Sequence, residues 1–158
     1  MSEKLKMRRV WDVNASGVES IVAKSDEYLS ALYPAESNHA EPLDALVGVD
    51  SAFFAGYVDE ELVACGAVKF VEDDITYGEI KRVFVDERQR GKRLATAVMR
   101  HLEQYLFDSG IRVIRLEAGP MQPEALRLYH KLGYSERGPF GAYRLDPLSV
   151  FMEKSLSD

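Results

Sequence analysis

The chain carries a single cysteine, Cys65, in 158 residues. An internal disulfide is therefore excluded, as is any metal centre built on several thiolates. Long apolar runs are missing as well. No stretch approaches the roughly 20 residues that a membrane helix needs, and Met1-Ser2-Glu3-Lys4 lacks the apolar core of a signal peptide. The plain expectation is a cytoplasmic chain with no membrane partner. Positive charge is in deficit: the formal net charge is −6, which argues against general nucleic-acid binding. His39, His101 and His130 offer no metal-ligand spacing, so no metal is expected. What is present is ordinary for a globular chain, with 46% hydrophobic and 29% charged residues. One domain over residues 1–158 buries enough to fold without staples.

Hydrophobic periodicity divides the chain into strands and helices. Residues 8–13 read as a strand, and 17–32 as a helix with Val18, Ile21, Val22 and Leu29 inward. The proline-bounded stretch 33–42 is a loop that runs into a short helix near 43–47. Residues 52–58 and 62–71 form a hairpin around Asp59-Glu60-Glu61, and 76–85 a third consecutive strand. A helix is expected from about Arg90 to Asp108, ended by Ser109-Gly110. Residues 111–118 are strand-like, and Pro123 opens a helix that Gly133 stops. Two closing strands, 134–137 and 150–154, flank the loop 138–147. The order β-α-(α)-β-β-β-α-β-α-β-β implies an α/β fold, a mixed sheet with helices on its faces.

The junction at residues 85–95 is the least ordinary part of the chain. From Glu87 to Ala95 there is no Ser, Thr, Asp or Asn to cap the helix that follows. Cations crowd the positive end of its dipole, since residues 81–93 hold six of the twenty Lys and Arg residues. A bound diphosphate would repair both faults. A charge cluster is as often only a solvated face, but its place between strand and helix favours an anion cradle. A P-loop is disfavoured because no Gly-Lys-Ser/Thr is present, and a dinucleotide fold because Gly91 stands alone.

Two motifs at this point resemble the GNAT superfamily of N-acetyltransferases, in its small bacterial form. The Gln/Arg-x-x-Gly-x-Gly/Ala signature appears as Arg88-Gln89-Arg90-Gly91-Lys92-Arg93, with Arg93 where a second small residue is usual. The pattern Asn-x-x-Ala-x-x-Leu-Tyr appears as Gln122-Pro123-Glu124-Ala125-Leu126-Arg127-Leu128-Tyr129, followed by Gly133-Tyr134. Gln122 stands where Asn is usual. The resemblance spans about residues 52–156.

The resemblance implies a twisted, splayed mixed sheet and acetyl-CoA as co-substrate, without a metal. It implies that Val83, Phe84 and Val85 offer backbone groups to the pantetheine arm. Arg88, Gln89, Arg90, Gly91, Lys92, Arg93, Leu94 and Ala95 would wrap the diphosphate, and Gln122 and Tyr129 would touch the cofactor arm. The implied reaction is acetyl transfer to a primary amine of a small acceptor, by direct attack. A phenol is protonated at neutral pH, which suits Tyr129 as the acid that protonates the leaving sulfur. Helical spacing alone would equally make Tyr129 a core residue. Glu79 is the candidate base, and an ion pair with Lys81 on the same strand face weighs equally. The loops 33–42 and 138–147 would flank the acceptor, with Tyr33, Glu36, Phe140 and Tyr143 lining its mouth. Cys65 and His101 are expected in packing and on the surface, respectively. A non-catalytic acetyl-CoA-binding regulator is the alternative from another class, and a different acyl donor a third. A homodimer is the commonest closed oligomer and fits the resemblance.

Overall fold

The computed structural model describes residues 4–12, 14, 17–89 and 93–157. Its elements run β1 (Lys6–Val10), α1 (Val18–Leu32), β2 (Ser51–Val58), β3 (Glu61–Glu72), β4 (Thr76–Val85), α2 (Leu94–Asp108), β5 (Val113–Ala118), α3 (Pro123–Lys131), β6 (Ser135–Arg137) and β7 (Val150–Ser155). Short 3₁₀ turns occupy Ala35–Ser37, Leu43–Leu46 and Glu87–Gln89. One seven-stranded sheet has the order β1-β2-β3-β4-β5-β7-β6. All neighbours are antiparallel except β4 and β5. That parallel pair needs a crossover, which α2 supplies.

The helices cover both faces, as the alternating strands require. One face of the sheet meets Leu94, Val98, Met99, Leu102 and Leu106 of α2 together with Tyr129 of α3. Gly78 on β4 lets α2 lie close, because a Cβ there would stand 2.5 Å from Leu106 Cδ2. The other face meets Val18, Ile21 and Val22 of α1, over Phe53, Cys65, Ala67 and Phe84. The expected inward side of α1 is thus the observed one, except that Leu29 turns only partly away from solvent.

The order of elements is the expected one, while several boundaries move, most of all those of β1 and the start of α2. β1 ends at Val10, whose partner Phe53 lies near the start of β2, so the ladder has little further to run; Val13 lies outside the described residues. α2 begins at Leu94 rather than near Arg90. Arg93 has φ 60°, ψ 22°, a left-handed conformation that a right-handed helix cannot include.

Two irregularities in β4 prepare the site. Between the pairs Ala67↔Lys81 and Cys65↔Phe84, two residues of β4 oppose one of β3. This is a β-bulge, with Arg82 in the left-handed region at φ 59°. On its other side, β4 parts from β5 after only three register pairs, Gly78↔Ile114, Glu79↔Arg115 and Ile80↔Leu116.

Candidate active site

Continued register would set Lys81 beside Glu117. Instead the strands diverge there, and a cavity of about 640 Å³ opens between their ends. Its walls are residues 79–85 of β4, the end of β5, the start of α2, the inner side of α3 and the loop after α1.

One end of this cavity takes in most of the residues expected to hold the cofactor. Val83, Phe84, Val85, Gln89, Arg93, Leu94, Ala95, Gln122 and Tyr129 all line it. Arg93 is exposed at the N-terminus of α2 and makes no side-chain capping bond, so the cation and the dipole of the helix meet solvent together. Arg88 does not line the cavity. Its guanidinium reaches Glu61 at 3.2 Å and Asp86 at 3.3 Å, because the Asp86 carboxylate also accepts the Arg88 backbone N–H and so holds the residue back. Arg90, Gly91 and Lys92, also expected in the cradle, lie outside the described residues.

The opposite end is polar and heavily bonded. Tyr143 donates to Glu79 Oε2 at 2.6 Å, and Lys81 Nζ reaches the same oxygen at 3.3 Å. Lys81 Nζ also donates to the Tyr143 hydroxyl at 2.8 Å and pairs with Glu41 at 3.3 Å. Both Glu79 and Lys81 are buried at the side chain. Burial and the neighbouring Glu79 carboxylate raise the Tyr143 phenol far above its ordinary pKa. His39 stands edge-on to the Tyr143 ring at 5.2 Å, and Ser37 Oγ donates to Asp146 at 2.8 Å. The two expected loops therefore close on one another over β4.

Of the four residues expected at the acceptor mouth, Tyr33 and Tyr143 line the cavity and two do not. Glu36 is exposed in the turn Ala35–Ser37, which buries Ser37 and faces its carboxylate outward. Phe140 is buried beside Tyr77 and Phe151 in a separate aromatic cluster; packing its ring there removes more apolar surface from water than the open mouth would. Tyr33 does more than line a wall. Its hydroxyl accepts the Met121 N–H at 3.2 Å and donates to Gln122 Oε1 at 3.1 Å. It thereby ties the end of α1 to the turn before α3.

Tyr129 is buried and lines the cavity. Burial, with the Glu117 carboxylate as a second cause, pushes its phenol up to about 12, so it holds its proton at any physiological pH. Cys65 is fully buried in the α1 side of the core, and burial pushes its thiol up to about 12. His101 is half-buried rather than on the surface. Its ring packs edge-on against Phe54 at 4.6 Å, and burial lowers its pKa.

Among the cavity side chains that sequence reasoning did not assign to the site are His39 and Glu117. Glu117 follows an apolar strand at the spacing that sets it on the face of Arg115, itself paired with Glu79. A carboxylate at that place in a strand was the available signal.

With this geometry in view, comparison with known proteins is decisive. A model of the acetyltransferase (GNAT) family matches residues 18–134. The chain belongs to that family. It is 39% identical to an IAA acetyltransferase of Azospirillum brasilense over 139 residues, covering 88% of this chain and 90% of the relative. Among solved structures, a Klebsiella pneumoniae protein assigned as an acyl-CoA N-acyltransferase superposes with a TM-score of 0.78 at 30% identity, covering 97% of this chain and 98% of that one. An N-acetyltransferase of Thermoplasma acidophilum, solved in complex with coenzyme A, shares the fold with a TM-score of 0.72 at 14% identity, covering 96% and 99% of the two chains. The split between β4 and β5 and the seven-stranded mixed sheet are thus those of a GNAT acetyltransferase.

Proposed function

We propose that this acetyltransferase carries the acetyl group of acetyl-CoA to a primary amine of a small acceptor, by direct attack. The observation that carries the reading is the parting of β4 from β5 into one cavity that has an uncapped cationic helix end on one side and bonded carboxylates on the other. The residues present fit such a co-substrate. Beyond Ile80, β4 has no register partner in β5, and that side of the strand suits an extended amide-bearing arm. Arg93 and the α2 N-terminus suit its diphosphate. The coenzyme A seen in the Thermoplasma neighbour supports this donor.

Direct attack is favoured because the chain offers no accessible thiol; its single cysteine is locked in the core. Tyr129 holds a proton that the departing sulfur needs. Glu79 anchors Lys81 and Tyr143, and so shapes the wall against which the acceptor lies. The name of the Azospirillum relative adds IAA to the screen as a separate compound, beside an amine panel of polyamines and amino acids.

Calorimetric titration with acetyl-CoA, with desulfo-CoA and ATP as controls, tests the donor. Mass-spectrometric screening of amine acceptors then tests the transfer. Binding of acetyl-CoA with no acetylated product from any amine would reduce the protein to a binding module, and no binding would remove the reading.

A further inference from the structure

The acceptor end of the cavity holds more carboxylates than its own cations can occupy. Lys81 has three N–H donors, and Glu79, Glu41 and the Tyr143 hydroxyl already surround it. Glu79 gives its Oε2 to both Lys81 and Tyr143. That oxygen cannot turn toward an incoming amine without breaking the 2.6 Å phenol bond, which leaves Glu79 only its Oε1 for a further donor.

Glu117 is placed differently. It is the first residue of β5 beyond the last pair with β4, so it stands at the mouth of the split. Alternation sets it on the same face as Arg115 and, across the ladder, Glu79. It lines the cavity together with Tyr129. No lysine or arginine forms an ion pair with it among the described residues. The nearby Ser149 hydroxyl is buried without a hydrogen bond of ordinary length.

We propose that Glu117 receives the ammonium of the acceptor and acts as its general base, a role that rests on the acetyl-transfer reading above. The carboxylate takes one proton from the ammonium and frees the nitrogen lone pair. The C–N bond forms as the carbonyl π pair moves to oxygen. The pair then returns, the C–S bond breaks, and the sulfur takes the phenolic proton of Tyr129. Tyr129 is restored by a proton from the new C–N nitrogen, and Glu117 releases its own to solvent. The balance is one ammonium and one thioester in, one amide, one thiol and one proton out.

The surroundings suit this work. Burial raises the Glu117 carboxyl above its ordinary pKa, and Glu79 adds to the rise, while Ser149, His39 and Lys81 offset part of it. Tyr33, Tyr129 and Tyr143 also face it from the other walls, all neutral at working pH. A base held above the usual carboxylate range is a stronger proton acceptor than a free glutamate. It also leaves a negative site for which a cationic amine is the matching ligand, so the acceptor class is an ammonium without a second anionic group beside it.

The test compares E117Q with E79Q in the full chain, with the acceptor found in the panel. E117Q is expected to lower kcat about 10²–10⁴-fold and to abolish the fall of kcat toward acid pH, with acetyl-CoA affinity unchanged. E79Q is expected to keep that acid limb. A second readout needs no turnover. Because the folded carboxyl binds its proton more tightly than the unfolded one, ionised Glu117 costs stability above the ordinary glutamate pKa. E117Q is therefore expected to melt higher than the wild type at pH 8, with the gap closing as pH falls from the raised folded pKa to that ordinary value. Equal kcat and an intact acid limb in E117Q would overturn the assignment alone. A wild-type protein that acetylates no amine would overturn the assignment and the acetyl-transfer reading together.

Discussion

Gly119 and Tyr33 give the sharpest test of how the cavity is held in shape. A Cβ on Gly119 would stand 1.8 Å from Tyr33 Oη and 2.1 Å from Cζ, so Gly119→Ala cannot coexist with the present ring. Gly119 needs no left-handed backbone, since its φ is not positive, and alanine there is strained by the neighbour alone. Tyrosine has only two side-chain torsions and its ring is 6% exposed, which leaves no small adjustment. Ejecting it forfeits the bonds to Met121 N and Gln122 Oε1, at about 0.5–1.5 kcal/mol each. It also loses part of the burial of an aromatic side chain, whose full removal costs about 3–5 kcal/mol. G119A is therefore expected to destabilise the protein by about 2–4 kcal/mol. With a urea m-value of about 2 kcal/mol/M, the midpoint falls by about 1–2 M. Tyr33→Ala costs a similar amount alone, but adding G119A to it should cost almost nothing, because the clash is gone. The coupling energy from this double-mutant cycle is the decisive number. A G119A stability within about 0.5 kcal/mol of wild type, or the same G119A cost in both backgrounds, would refute the role given to Tyr33.

Three further outcomes follow from the site. Tyr129→Phe is expected to lower kcat about 10²–10⁴-fold with little change in acetyl-CoA affinity; an unchanged kcat would return Tyr129 to the core alone. Asp86 is held down at about 2, chiefly by the Lys24 ammonium at 2.7 Å and then by the backbone and side chain of Arg88. A carboxyl depressed on folding stabilises above its ordinary pKa and loses that contribution as pH falls through about 2. Asp86→Asn should therefore cost about 1–3 kcal/mol at neutral pH and match the wild type near pH 2, measured by thermal melts across pH. Arg93→Gly removes a left-handed strain of about 1–2 kcal/mol but adds unfolded-chain freedom of about 0.4–1 kcal/mol. Stability should stay within about 1 kcal/mol, while acetyl-CoA binding weakens several-fold; unchanged affinity in calorimetry would remove Arg93 from the anion end.

What could be read in advance was local. Periodicity and turn residues found every strand and α-helix, because both signals lie within or beside each segment. Strand alternation put Glu79 and Lys81 on one face, and the two meet at 3.3 Å. The uncapped start of α2 was visible as a missing Ser, Thr, Asp or Asn. What escaped depends on partners far away in the chain. The start of α2 moved because Arg93 takes a left-handed conformation that no propensity scale assigns to arginine. Glu117 looked like the end of an apolar strand until the point of divergence from β4 was known. The loops could be placed near the acceptor, but the direction of Phe140 was decided by Tyr77 and Phe151. Glu36 was decided by which side of its turn buried Ser37.

The bulge at Arg82 links these local and distant facts. Before it, Ile80 faces α2 and Glu79 and Lys81 face the acceptor side. One extra residue reverses the alternation, so that Val83 and Val85 pack toward α2 while Phe84 enters the α1 core. Unbroken alternation would have set Val83 and Val85 in line with Glu79 and Lys81 and turned Phe84 toward α2. The left-handed backbone that permits this is held from both ends. The Arg82 guanidinium donates to Asp26 of α1 at 2.6 Å and to the Glu41 carbonyl at 2.8 Å, and the Arg82 carbonyl accepts from Cys65 Sγ. Glu41 in turn pairs with Lys69 and Lys81. The residue that bends β4 away from its ladder is thus the one that fastens the acceptor loop to it. Strain at the bulge and order at the acceptor wall are consequences of the same side chain.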